Sequence, residues 1–133
     1  MKVLVDTSVW SEVLRRKKNI DLTVANTLSK LIKNNEIIII GPIKQEILSG
    51  IKDTKQFENL KTILRAFRGY SIKEIEYEKA VEISNLCRKF GIQGSNADFL
   101  ICSIAIENNF QIYSLDKDFN NFSNVIPIQL FTP

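Results

Sequence analysis

The 133-residue chain is 44% hydrophobic and 25% charged, the balance of a soluble globular protein long enough to bury a real core in one domain. Its longest aliphatic run, Ile37 to Ile40, is too short to span a bilayer, and Met1 leads into the first strand without the n-region and h-region of a signal peptide, so a cytoplasmic location is expected. The net charge of +3 says little by itself, but the absence of histidine excludes Ser-His-Asp and Cys-His triads outright.

Lys2-Val3-Leu4-Val5 reads as a buried first strand, followed by a helix from about Thr7 to Arg16. Arg15-Arg16-Lys17-Lys18 close that helix; such cations suit the negative end of the helix dipole and equally suit a phosphate backbone. A second helix spans about Asp21 to Asn34, with Asp21 as its N-cap. The β-branched run Ile37 to Ile40 reads as a central strand covered on both faces, ending at Gly41-Pro42. Pro42 suits the first turn of the next helix, which is expected to reach about Lys52. Asp53 or Thr54 then caps a helix through Phe67, with Phe57, Leu60, Ile63, Leu64 and Phe67 on its apolar face.

Tyr70 to Ile72 fits a short strand, and a long helix follows from about Ile75 to Phe90. Gly91-Ile92-Gln93-Gly94 breaks the chain before Ser95 or Asn96 caps a helix to about Asn108. A strand at 111–114, a short helix near 117–122 and an edge strand at Val125-Ile126 complete the series. Cys87 and Cys102 belong to no CxxC pair and read as free, buried thiols. Strands alternating with crossover helices, with no linker or repeat, predict a single α/β domain over residues 1–133: a mostly parallel sheet flanked by helices on both faces. In such sheets ligands bind beyond the carboxyl ends of the strands.

Four acids occupy awkward positions. Asp6 ends the first strand, Glu46 borders the Ile43-Ile47-Ile51 stripe beside Gly50, Asp98 opens an apolar helix, and Asp116 follows the strand at 111–114. Each has an ordinary reading: Asp6 and Asp116 as helix caps, Glu46 as a solvated side chain, Asp98 as a first-turn acid favoured by the dipole. Asp98 resists that reading best, because Ile101, Cys102 and Ala105 follow it on one face and Phe99, Leu100, Ile104 and Ile106 on the others. A helix apolar all round is buried, and a dipole contribution of about 0.3–1 kcal/mol does not offset an unpaired buried charge. The joint pattern predicts a shared cation site. An all-carboxylate donor set suits the hard ions Mg²⁺ or Mn²⁺, which acidify water and stabilise phosphoryl charge. Phosphodiester hydrolysis then needs no protein nucleophile. No GxGxxG or GxxxxGK[ST] is present, and Ser8 stands where a phospho-aspartyl hydrolase would carry a second acid.

Val3-Leu4-Val5-Asp6-Thr7-Ser8-Val9-Trp10 resembles the opening of a PIN domain, especially in the VapC toxins of bacterial type II toxin–antitoxin modules. Residues 41–50, Gly-Pro-Ile-Lys-Gln-Glu-Ile-Leu-Ser-Gly, resemble the family's second acidic motif, Ser95 to Ile101 the third, and Ser114 to Phe119 the last. Ser114 replaces the more frequent threonine, and Phe99 is bulkier than usual. The resemblance implies a Mg²⁺- or Mn²⁺-dependent endoribonuclease toxin with Asp6, Glu46, Asp98 and Asp116 around the metal. It implies Ser8 or Thr7 supporting Asp6, Ser114 in the last motif, and Asp118 as an auxiliary metal ligand. Cleavage would leave a 5′-phosphate and a 3′-hydroxyl, with Arg15 to Lys18 guiding the RNA and Trp10 in the core or stacked on a base. The implied partners are tRNA or ribosomal RNA, a VapB-type antitoxin docking on the apolar helices of 42–67, and a second copy in a homodimer, with no membrane. An antitoxin-independent PIN nuclease in RNA processing and a non-catalytic metal- or partner-binding module are the alternatives.

Overall fold

The computed structural model describes residues 1–14, 19–67 and 69–133. The basic run Arg15 to Lys18 and the expected end of the first helix lie outside the described residues. Five parallel strands form one sheet: Val3–Val5 (β1), Ile37–Ile40 (β2), Gly69–Tyr70 (β3), Gln111–Tyr113 (β4) and Gln129–Leu130 (β5), in the order β3-β2-β1-β4-β5. Every residue of β1 and β2 is buried. Successive strand residues point to opposite faces, so both faces of the sheet are covered. The helices that cover them are Thr7–Leu14 (α1), Leu22–Lys33 (α2), Gly41–Leu48 (α3), Thr54–Arg65 (α4), Glu74–Lys89 (α5), Asn96–Asn108 (α6) and Asp118–Ser123 (α7). The expected mostly parallel sheet is parallel throughout.

The expected caps are made. Asp21 Oδ1 accepts from the Thr23 and Val24 N–H groups at 2.9 and 3.3 Å. Asp53 Oδ2 accepts from Gln56 N–H at 2.9 Å, and Ser95, rather than Asn96, caps α6. Some boundaries differ from expectation: α4 ends at Arg65 instead of Phe67 and β4 at Tyr113 instead of Ser114. Helix α3 ends at Leu48 instead of Lys52, because Ser49 is extended and Gly50 takes φ +86°, a left-handed turn that glycine adopts without steric cost. Strand β3 is Gly69–Tyr70, not 70–72. The last strand is Gln129–Leu130, not Val125-Ile126, whose N–H groups both donate to the Phe122 carbonyl at 2.9 Å and so prolong the α7 turn.

Trp10 is 1% exposed and packs edge-on against Phe67 at 5.2 Å, which places it in the core and removes it as a base-stacking platform. Cys87 and Cys102 are free and buried, and burial pushes both thiols up. Glu76 is a buried charge that sequence reasoning passed over, at 1% exposure. Its carboxylate accepts from Tyr70 Oη (2.7 Å), Lys73 N–H (2.8 Å) and Asn108 Nδ2 (2.8 Å), while Ser103 Oγ donates to its carbonyl at 2.7 Å. These bonds pin the start of α5 to β3 and α6, meeting the requirement that a buried carboxylate be fully hydrogen-bonded.

Candidate active site

The chain leaves β1 to build β2 on one side and returns to place β4 on the other, so the β1/β4 junction is the topological switch point of the sheet. Asp6 follows β1, and its N–H donates to the Tyr113 carbonyl at 2.9 Å, extending the ladder to the rim. The residue is 7% exposed. Rather than capping α1, Oδ2 accepts from Ser8 Oγ and Ser114 Oγ, each at 2.8 Å. Those hydroxyls in turn accept from Leu115 N–H and Asp116 N–H, both at 3.0 Å. Each serine has a single proton to give, so both are spent on Asp6, and the circuit locks the loop after β4 onto the end of β1.

Asp98 sits in the first turn of α6. Its Oδ2 accepts from Ser95 N–H and its own N–H donates to Ser95 Oγ, both at 3.1 Å, a reciprocal capping box. The carboxyl is half-buried and held above its usual range, mainly by desolvation; the Ser95 bonds pull it down, and the charges of Asp6 and Asp116 push it up. Asp98 is therefore within electrostatic reach of both Asp6 and Asp116. Asp6, not Asp98, is the most deeply buried of the four.

Glu46 is exposed on α3. Thr7, the first residue of α1, donates its hydroxyl to Glu46 Oε2. Of the two residues expected to support Asp6, Ser8 does so and Thr7 serves Glu46 instead. Asp116 is exposed and its Oδ1 accepts from Asp118 N–H at 2.9 Å, a turn bond into α7 from the residue before its N-cap, which is Lys117 and not Asp116. Asp118 is exposed and joins this group only through that N–H; its carboxylate makes no hydrogen bond among the described residues.

The described ion pairs, Lys61–Glu58 and Lys79–Glu107, lie elsewhere, so none of these acids is in a described ion pair. Among the described residues no three Asp, Glu or Cys side chains meet at the spacing of direct ligands. An open, oxygen-only donor set suits a hard ion that keeps several waters and takes one or two carboxylates directly. Magnesium and manganese fit that chemistry; zinc, which favours closed sites of Cys and His, does not.

Helices α3 and α4 turn Ile43, Ile47, Leu60 and Leu64 inward, and Ile63 is their exposed large hydrophobic residue. Ile63 was expected on the apolar face of α4. Exposed apolar side chains gather instead on α5 and just beyond it, at Ile75, Tyr77, Val81, Leu86 and Phe90. Among the described residues no helix is long and apolar enough to cross a membrane.

Fold and site together define a parallel α/β protein with an acidic, oxygen-only centre at its switch point. The PIN-domain family model matches residues 3–125, and the chain belongs to the PIN-domain family. Among solved structures, FitAcB from Neisseria gonorrhoeae matches with a TM-score of 0.79 at 20% identity, over 98% of this chain and 97% of that one. VapBC2 from Rickettsia felis, bound to a DNA fragment from its promoter, matches with a TM-score of 0.76 at 20% identity, over 98% of each chain. VapC20 of Mycobacterium tuberculosis, a sarcin–ricin loop cleaving toxin, matches with a TM-score of 0.69 at 16% identity, over 96% of this chain and 99% of that one. Identities this low establish the fold. No curated protein matches the sequence.

Proposed function

We propose that this chain is the toxin of a VapBC-type toxin–antitoxin pair, a Mg²⁺- or Mn²⁺-dependent endoribonuclease that hydrolyses phosphodiester bonds in tRNA or ribosomal RNA. The observation that carries the reading is that Asp6, held by Ser8 and Ser114, and Asp116, whose N–H bonds the same Ser114, meet at the switch point of a PIN-family chain, with Asp98 in electrostatic reach of both. Asp6, Glu46, Asp98 and Asp116 would hold the ion, with Asp118 an auxiliary acid beside Asp116. A bound divalent ion supplies charge neutralisation at a phosphoryl oxygen and makes a water more acidic. Ser8 and Ser114 fix Asp6 by filling one carboxylate oxygen and leaving Oδ1 to the ion. Asp98 likewise spends Oδ2 on Ser95, and Asp116 spends Oδ1 on the turn into α7. Solved FitAB and VapBC assemblies support a VapB-type antitoxin as partner, and a homodimer completes the reading.

Incubating the purified protein with tRNA and ribosomal RNA tests this directly. Cleavage should require Mg²⁺ or Mn²⁺ and stop in EDTA. Asp6→Asn should lower the rate by about 100-fold or more while leaving the far-UV circular dichroism unchanged. Undiminished cleavage in EDTA, or by the variant, would contradict the reading.

A further inference from the structure

We infer that Thr7 is a positioning residue for Glu46: its hydroxyl holds the exposed carboxylate at the acidic centre and so sets divalent-ion affinity without touching the ion. The inference rests on the proposal that Glu46 is one of the acids holding the ion. Burial restrains Glu46 little. It is exposed, it lies on a helix separate from the others, and a glutamate turns about one more bond than an aspartate. Asp6 is held by two serines and Asp98 by its capping box, whereas Glu46 has a single side-chain hydrogen bond among the described residues, the one from Thr7.

Thr7 is suited to this task by its place in the chain. It directly follows Asp6, so its backbone is fixed by the same rim of β1 that fixes the first acid. As a β-branched residue at the start of a helix it has few side-chain rotamers, so the hydroxyl points in a defined direction. It donates to Oε2 and leaves Oε1 without a hydrogen bond among the described residues, open toward an ion. The bond also bridges α1 and α3, the two helices that leave adjacent strands β1 and β2. Outer partners of this kind commonly alter metal affinity by tenfold or more.

The test is Mn²⁺ affinity, read by electron paramagnetic resonance on wild type, Thr7→Val, Thr7→Ser, Glu46→Gln and the Thr7→Val/Glu46→Gln pair, with thermal melts showing that each variant folds. Thr7→Val, which keeps the shape and removes the hydroxyl, should raise the Mn²⁺ Kd by about tenfold. Thr7→Ser should return it to within about twofold of wild type, and Thr7→Val should add less than about twofold once Glu46 is glutamine. Glu46→Gln weakening Mn²⁺ binding while Thr7→Val leaves it unchanged would overturn the role of Thr7 and spare the site. A Thr7→Val penalty that persists in full in the Glu46→Gln background, or is shared by Thr7→Ser, would also overturn it, since threonine would then act through packing. Wild-type affinity in Glu46→Gln would remove Glu46 from the site, and this inference with it.

Discussion

Asp98 carries a conflict that a bound cation would relieve. In the metal-free chain its carboxyl stands above the ordinary value of 3.8, first because burial disfavours the charged form and also because Asp6 and Asp116 repel it. Between 3.8 and its raised value, the folded chain keeps a proton that the unfolded chain has released. Stability therefore falls as pH rises through that window, and the loss is complete above it. Asp98→Asn removes the charge and keeps an oxygen to accept from Ser95. In EDTA at pH 7 the variant should melt at a higher temperature than wild type, and the gap should close as pH falls toward 4. A lower melting temperature at pH 7 would mean that the ionised carboxylate is stabilising where it stands. Sequence reasoning reached Asp98 because Phe99 to Ala105 are apolar on every face, and all of them are buried, Ser103 included. It gave Asp6 too little weight, because whether a strand-end acid is capped or covered depends on Ser114, 108 residues away. Glu76 was also within reach: it shares a stripe at 4, 3 and 4 residue steps with Ala80, Ile83 and Cys87, and only a run of neighbouring charges disguised it.

Element by element, the site depends on how α6 and α7 are held beside β1. Phe99 of α6 and Phe122 of α7 pack with ring centroids 5.1 Å apart, and both rings close over Gly94. A Cβ added at Gly94 would lie 2.6 Å from Phe122 Cζ and 3.0 Å from Phe99 Cζ. The bulk of Phe99 is therefore accommodated by the missing side chain of Gly94. Gly94→Ala must displace two buried rings, and overpacking of this kind costs about 1–3 kcal/mol. Because those rings carry the helices bearing Asp98 and Asp118, RNA cleavage measured well below the melting temperature should also fall. A variant with wild-type stability and activity would show that the two helices adjust independently. Gly94 read from sequence only as a breaker, since a close approach between rings from separate helices is a tertiary event. Local signals did better where one residue decides the outcome: Asp21, Asp53 and Ser95 all cap the helices they precede. They did worse at Val125-Ile126, where an apolar pair suggested a strand and Phe122 claimed both amides for a turn.

At the scale of the whole molecule, alternation of strands and helices made the parallel α/β class legible, but not the strand order. That order depends on which side of β1 each crossover packs, and it is what makes the β1/β4 junction the switch point. Asp6 and Asp116 follow neighbouring strands although 110 positions apart, Asp98 is in electrostatic reach of both from α6, and Thr7 bonds Glu46. A buried aspartate, a half-buried one and two exposed acids make up the proposed centre, and none of the four is in a described ion pair; the proposed function requires a divalent ion there. Anomalous diffraction from crystals equilibrated with Mn²⁺ tests that claim most directly. The predicted result is an anomalous peak bounded by Asp6, Asp98 and Asp116, with Glu46 turned toward it. A featureless map there, at a Mn²⁺ concentration that supports RNA cleavage, would contradict the account.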